Sequence, residues 1–240
     1  MKMTPGKLAG MKAVSDARGV IAAAAMDQRG SLKKTLAKES GGDVTDAMME
    51  EFKGLVTEVL TPYATAILLD PEWGIGPSKR RSKNAGLLLA YEKTGYDATT
   101  PGRLPDLLDV WSVRRLKEAG ADCLKILLYY TPFDAKPINE LKHAWVERIG
   151  DECRANDLPY FLEFVGYQEG ADEKGLDYAK RKPEVVAGAM REFTQDRYGV
   201  DVMKVEIPIN VQFVEGAAAN TSGQVAYTRN QAKQLFLDAA

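Results

Sequence analysis

DCLKILLY (122–129), YFLEFV (160–165) and DVMKVEI (201–207) are short apolar segments that each carry charged residues in their interior. Three similar segments precede them along the chain: VIAAAAM (20–26), ATAILL (64–69) and GLLLAY (86–91). Short apolar runs of this kind predict buried β-strands. Longer amphipathic stretches separate all six, and this alternation predicts βα units on a parallel sheet.

The stretches between the strands repeat apolar residues at helical spacing. We predict helices over residues 104–119, ending before Gly120, over residues 139–156, and from Pro183 to about residue 193. No Gly/Ser-rich linker or low-complexity segment divides the chain. We therefore expect one domain over residues 1–240.

Repeated βα units build either a doubly wound open sheet or a closed barrel. The first strand is followed by Asp27-Gln28-Arg29-Gly30, which is not a dinucleotide-binding motif. Charged residues inside the last three strands favour a barrel, because its interior can direct them toward its mouth. Strands recur about every 36 residues, so eight units would need about 290 residues. We predict an α/β fold, a TIM (β/α)8 barrel of which this chain holds about six βα units and lacks the C-terminal ones.

Composition excludes several classes of partner. Lys and Arg total 32 against 34 Asp and Glu, a net charge of −2, so neither nucleic acid nor a membrane surface is expected to bind. Cys123 and Cys153 are too few for a disulfide framework or a zinc site and are expected to be buried thiols. We find no signal sequence and no apolar run long enough to span a bilayer, which predicts a cytoplasmic protein.

Alternation along the sixth strand places Lys204 on the inward face with Val202 and Glu206. Residues 203, 205 and 207 are then expected to pack under helices. An amine removed from water more readily becomes the neutral nucleophile that attacks a carbonyl. A structural lysine that extends its ammonium to solvent is the alternative.

Strands four and five each add one ionisable side chain. Glu163 is the only charged residue in the run 161–165, and a carboxylate in an apolar strand is costly unless it is paired or used. Lys125 shares a strand face with Cys123 and Leu127. Two lysines and a glutamate on adjacent inward faces form either a buried ion network or the groups of imine catalysis: an amine nucleophile, a second cation and an acid/base.

Asp27, Gln28 and Arg29 follow the first strand, at the end where barrel enzymes carry their catalytic residues. Asp27 could hold a sugar hydroxyl, and Arg29 a phosphate or Asp27 itself. The alternative is a turn with a solvated salt bridge. The glycine- and cation-containing segment 74–81 lacks the ending of a P-loop and is interpreted as a solvated loop.

His143 is the only histidine, and its place on an amphipathic helix predicts a surface position. With no second histidine and no clustered thiols, the sequence shows no ligand set for a metal-dependent aldol mechanism.

The chain resembles the class I tagatose-1,6-bisphosphate aldolases. The matching stretches follow in order along almost the whole chain: AMDQRG (25–30), LTPYATAILLDPEWG (60–74), GLLLAYEKTGYD (86–97), RLPDLLDVWS (103–112), KILLYY (125–130), ERIGDEC (147–153), FLEFVGY (161–167) and DVMKVEIPINV (201–211). The series is more specific than any single motif.

The resemblance implies that Lys204 forms a Schiff base with a phosphorylated ketohexose and that Glu163 transfers protons. It also implies that Asp27, Gln28 and Lys125 line the substrate pocket. The implied reaction cleaves tagatose 1,6-bisphosphate, with relaxed choice among C4 epimers, to dihydroxyacetone phosphate and glyceraldehyde 3-phosphate. It requires no metal or organic cofactor. Enzymes of this family serve lactose and galactose catabolism.

Members of the family continue through two more βα units, which supply a phosphate site. Here the sequence ends within the sixth helix, so we expect a fragment of a longer protein or a truncated product. Exposed strand edges at the gap of an open barrel favour self-association into a homo-oligomer. Two alternatives are an aldolase for a sulfonated or otherwise modified sugar phosphate, and a non-catalytic binder of sugar phosphates.

Overall fold

The computed structural model describes residues 3–93 and 100–239, so the end of the matching stretch 86–97 and the last residue lie outside the described part. Six strands alternate with helices: α1 Pro5–Ala13, β1 Ala23–Met26, α2 Gly30–Ser40, α3 Asp46–Leu60, β2 Ala66–Leu69, α4 Ile75–Ser78, β3 Gly86–Ala90, α5 Val113–Glu118, β4 Cys123–Tyr130, α6 Lys136–Ala155, β5 Tyr160–Gly166, α7 Leu176–Phe193, β6 Val202–Lys204 and α8 Arg229–Ala239. Short 3₁₀ turns lie at Thr61–Tyr63, Asp196–Tyr198 and Val211–Phe213.

The strands follow one another in the sheet in the order of the chain, from β1 to β6. Ala23 pairs with Ala66, and Ala66 with Gly86, in parallel register, and β3 continues this pattern into β4. This is the arrangement of βα units in a TIM barrel. All six predicted strands are confirmed, and most are shorter than predicted.

Contacts group the described residues into two compact units. The first holds the residues up to 93, Asp106–Ile126 and Arg148–Phe161, and the second holds 100–105, Leu127–Glu147 and the residues from Leu162 onwards. One domain over residues 1–240 stays a prediction.

The core of the first unit is built on β2 and β3, in which every residue is buried. Unbroken apolar strands such as AILL and GLLLA are typical of parallel strands covered on both faces. Burial of each leucine contributes about 1.5–3 kcal/mol. Cys123 and Cys153 are buried, as predicted.

The two outer strands of the sheet, β1 and β6, are less buried than the inner ones. The prediction that residues 205 and 207 pack under helices is wrong, because Val205 is 43% and Ile207 61% exposed. The strand ends at Lys204, so the alternation assumed for these residues does not continue past that point.

The prediction of a helix over residues 104–119 is wrong in its first half, since α5 begins at Val113. Leu107 instead forms an antiparallel bridge with Glu92, and the Leu108 amide donates to the Tyr91 carbonyl. Backbone pairing with the segment after β3 replaces the helical hydrogen bonds. Ser112 then starts α5, because its side chain accepts from the Arg115 amide.

The other two predicted helices form but begin earlier. α6 starts at Lys136, about one turn before residue 139, and α7 starts at Leu176, so Pro183 lies inside it rather than at its start. A proline within a helix leaves the carbonyl four residues earlier without its amide donor. For Pro183 this carbonyl belongs to Ala179, and the hydroxyl of Tyr227 donates to it. Tyr227 is buried with Val214 in a small apolar cluster.

Tyr227→Phe should therefore lower the free energy of unfolding by about 1–3 kcal/mol, because it leaves a buried carbonyl without a donor. Pro183→Ala restores an amide at position 183 that can donate to Ala179. In that background Tyr227→Phe should cost less than about 1 kcal/mol. Urea unfolding of the four chains measures the coupling, and equal costs in both backgrounds would rule out the shared carbonyl.

The predicted surface position of His143 is wrong, because the residue is only 8% exposed. Its Nε2 lies 3.1 Å from the Tyr130 hydroxyl, and its ring contacts those of Phe193 and Tyr198. The helix face that carries His143 packs on an aromatic cluster, which spacing on one helix did not reveal. Burial lowers the pKa of His143 below its ordinary value of 6.5, although Glu192 opposes the shift.

Acidification should destabilise the protein through His143. The folded state holds the imidazole neutral, so this contribution is complete above about pH 6.5 and is lost as the pH falls toward the lowered pKa. Between about pH 7.5 and about pH 5.5 the loss can reach about 1.4 kcal/mol. His143→Gln, which does not titrate, should show a flatter profile in urea unfolding. Parallel profiles would exclude this role.

No helix within residues 3–93 and 100–239 combines the length and the apolar character needed to cross a bilayer.

Candidate active site

The structure brings Lys204 and Glu163 together within the second unit. Lys204 is the last residue of β6 and Glu163 lies in β5, and the Lys204 Nζ is 2.7 Å from the Glu163 Oε1. Glu163 is 17% exposed, and its ion pair supplies the partner that a carboxylate in an apolar strand requires. Lys204 is 53% exposed, so the expected removal of its amine from water is wrong. It ends an outer strand, where less protein covers it.

This pair has the geometry for proton exchange. An ammonium must lose a proton before it can attack a carbonyl, and a carboxylate oxygen at hydrogen-bond distance can accept that proton. The two groups could act as nucleophile and acid/base in one site.

A second charged cluster surrounds Lys125 in the first unit. Lys125 is 2% exposed, and its Nζ lies 2.8 Å from the Asp27 Oδ2 and 3.1 Å from the Glu92 Oε1. β4 carries the lysine, while Asp27 follows β1 and Glu92 follows β3. Lys125 lies inside β4 but pairs in register with Ala90, the last residue of β3, so it is level with the end of that strand. This register explains why residues so distant in sequence come together.

Glu92 was not singled out from the sequence, although its position directly after the third strand was a usable signal. Burial raises the pKa of Glu92, with Lys125 lowering it and Asp27 raising it further. The Glu92 Oε1 also lies 3.9 Å from the Arg29 Nη2, so two cations flank this buried carboxyl.

Arg29 is 1% exposed, so a solvated turn at this position is excluded. Its guanidinium donates to the Glu92 carbonyl at 2.5 Å and pairs with Glu72 at 3.2 Å, rather than only with a residue of its own turn. The buried Nε of Arg29 has no acceptor among residues 3–93 and 100–239. Gln28 beside it is exposed.

A cavity of about 170 Å³ opens beside Arg29. Charged and apolar side chains line it together: Arg29, Glu72, Lys93, Leu108, Asp109, Val110 and Trp111. Arg29 is thus buried from bulk solvent but lines a space that a ligand group could enter.

Lys53 and Asp70 form a buried ion pair that the sequence analysis missed, and both side chains are 0% exposed. The Lys53 Nζ also donates to the carbonyls of Met26 at 2.7 Å and Gln28 at 2.8 Å, on either side of Asp27. Lys53 lies on an amphipathic helix, where a lysine normally indicates the solvent face. Burial lowers the pKa of Lys53, an effect that Asp70 opposes.

The prediction of a solvated loop over 74–81 is wrong. The segment contains the helical turn Ile75–Ser78, in which Pro77 and Ser78 are buried. Arg81 of this segment binds the protein's own backbone, since it donates to the carbonyls of Ser78 and Ala85.

The parallel sheet of βα units, with a lysine and a carboxylate paired at one strand end, fits an aldolase of the barrel class. The chain belongs to the DeoC/LacD aldolase family, because a family model described as "DeoC/LacD family aldolase" matches residues 21–239. The protein is therefore a carbon–carbon lyase.

Two named aldolases and one solved aldolase structure are similar to this chain. The chain is 54% identical over 239 residues to tagatose 1,6-diphosphate aldolase 2 of Enterococcus faecalis, covering 99% of this chain and 71% of that protein. It is 51% identical over 237 residues to tagatose 1,6-diphosphate aldolase of Listeria monocytogenes, covering 98% and 69%. The solved fructose-bisphosphate aldolase from Slackia heliotrinireducens shares the fold, with a TM-score of 0.57 at 14% identity over 100% of this chain and 71% of that one.

Proposed function

We propose that this aldolase cleaves tagatose 1,6-bisphosphate through a Schiff base on Lys204. The observation that carries the proposal is the 2.7 Å contact between the Lys204 amine and the Glu163 carboxylate. The choice of substrate is supported by 54% identity to a protein named for it. A lysine at a strand end with an adjacent proton acceptor is the arrangement that imine chemistry requires.

The reaction then proceeds through an imine and an enamine. Glu163 takes a proton from Lys204, and the free amine adds to the C2 ketone to give a carbinolamine. Glu163 returns the proton to the carbinolamine hydroxyl, which leaves as water to give a protonated imine, and Glu163 is again a carboxylate. Glu163, directly or through a water, removes the C4 hydroxyl proton as the C3–C4 bond breaks, and the bonding electrons move into the imine to give an enamine. Glyceraldehyde 3-phosphate leaves, C3 is protonated, and hydrolysis frees dihydroxyacetone phosphate.

The cluster of the first unit is assigned to substrate binding. Asp27 and Gln28 would accept and donate hydrogen bonds to sugar hydroxyls, and Lys125 would hold an oxygen of the substrate. Arg29 would bind a phosphate, because the residue lines the cavity and its buried Nε has no acceptor within the described residues. A guanidinium can bind phosphate through two parallel hydrogen bonds.

Borohydride trapping tests the proposal. The 240-residue chain is incubated with dihydroxyacetone phosphate and sodium borohydride, and the product is analysed by intact mass and peptide mapping. We expect a stable adduct on Lys204 and none in Lys204→Ala. Lys125→Ala is the matched control, and its adduct should remain on Lys204.

Two outcomes would contradict the proposal. An adduct on Lys125 would move the nucleophile to the other cluster. A folded chain that binds the ligand without forming any adduct would favour a sugar-phosphate binder.

A further inference from the structure

Glu206 connects the chain just after β6 to β5, in addition to the ion pair between Lys204 of β6 and Glu163 of β5. Its Oε2 accepts the Gly166 amide at 2.7 Å, and its Oε1 lies 3.0 Å from the Lys182 Nζ. Gly166 is the last residue of β5, and Lys182 lies in α7. One carboxylate therefore joins the segment after β6 to both β5 and α7.

The contacts of Glu206 are important because β6 is short. The strand is three residues long and ends at Lys204. Beyond that point a side chain, rather than a backbone ladder, ties the chain to the end of β5. Glu206 is two residues after Lys204, so its hydrogen bond limits how far the strand end can move.

The contact with Glu206 depends on the absence of a Cβ at position 166. A Cβ at position 166 would lie 2.7 Å from both the Tyr178 hydroxyl and a methyl group of Val185, and 3.3 Å from the Glu206 Oε2. Only glycine lets the backbone approach α7 and the carboxylate at once.

The Lys204–Glu163 pair needs such support. Lys204 is half-exposed, and an exposed ion pair contributes little because solvent screens it and the long side chain loses freedom. The alignment of the amine with the carboxylate must then come from the backbones of β5 and β6. A displacement of about 1 Å at a reacting group can cost about 100-fold in rate.

We propose that Glu206 is a positioning residue that holds Lys204 in reach of Glu163 by fixing the end of β6 to Gly166. This inference rests on the proposed Schiff-base function of Lys204. Glu206 itself needs no contact with the substrate. Its removal should slow imine formation and leave substrate affinity nearly unchanged.

The test compares Glu206→Met, which has a similar length and no acceptor, with Glu206→Gln, whose amide oxygen can still accept from Gly166. Lys182→Met is the matched control, because it removes the ion pair and keeps the hydrogen bond. The readouts are the rate of borohydride trapping with dihydroxyacetone phosphate, kcat and KM for tagatose 1,6-bisphosphate, and the thermal midpoint.

Glu206→Met should trap about 10- to 100-fold more slowly and lose kcat by a similar factor, with KM within about twofold. Glu206→Gln and Lys182→Met should stay within about threefold of the parent. Parent-like trapping in Glu206→Met would overturn the inference. So would an equal loss in Lys182→Met, or a slowing explained by a lower thermal midpoint. If the parent chain itself gives no adduct on Lys204, the proposed function fails first and the positioning role fails with it.

Discussion

Lys204→Met is expected to lower kcat for the cleavage of tagatose 1,6-bisphosphate by about 10⁴-fold or more, because it removes the amine that is proposed to form the imine. The substitution keeps the unbranched shape of the side chain. Since Lys204 is 53% exposed and its ion pair is partly solvated, the free energy of unfolding should change by less than about 1 kcal/mol. A coupled assay for dihydroxyacetone phosphate measures the rate.

Glu163→Gln separates the roles of the two residues. It preserves the amine but removes the proton acceptor, so kcat should fall by about 10²- to 10⁴-fold, and the adduct should form more slowly but still on Lys204. Activity of Lys204→Met within about tenfold of the parent would show that another residue is the nucleophile.

Breaking the Lys53–Asp70 pair should have the largest effect on stability. Both side chains are fully buried, so Lys53→Met leaves the Asp70 carboxylate without its cation. It also leaves the carbonyls of Met26 and Gln28 without their donor. Removing one partner of a buried pair costs about 3–5 kcal/mol. Urea unfolding at neutral pH measures the loss.

The double variant Lys53→Met/Asp70→Leu is the control for that prediction. With neither charge present the desolvation cost disappears, and the stability should recover by at least about 2 kcal/mol relative to Lys53→Met alone. The recovery should be incomplete, because Asp70 also accepts from the amides of Glu72 and Trp73. If Lys53→Met were as stable as the parent, the Lys53–Asp70 pair would contribute nothing to the free energy of unfolding.

The strands were predictable because apolar runs such as AILL in β2 and GLLLA in β3 are buried on both faces and need no partner to be recognised. Residues 104–112 could not be predicted in the same way. Their spacing suits a helix, but the segment after β3 offers them backbone hydrogen bonds. Local periodicity does not contain such a long-range pairing.

Local periodicity likewise does not predict the partners of the charged groups. Alternation within β4, β5 and β6 was enough to single out Lys125, Glu163 and Lys204. The partners of these residues come from other strands, and the burial of Lys53 and of His143 depends on which helix face meets the rest of the protein. An isolated helix pattern does not specify that choice.

Lys53 binds the backbone on either side of Asp27, and this has a consequence for which substitutions the enzyme can accept. Lys53 holds main-chain carbonyls, so the path of the backbone through positions 26–28 depends little on which side chains those positions carry. Gln28 is exposed and can be replaced while Asp27 keeps its place. Under the proposed role of Gln28 in substrate binding, position 28 is a place where substrate preference can be altered at small cost to the fold.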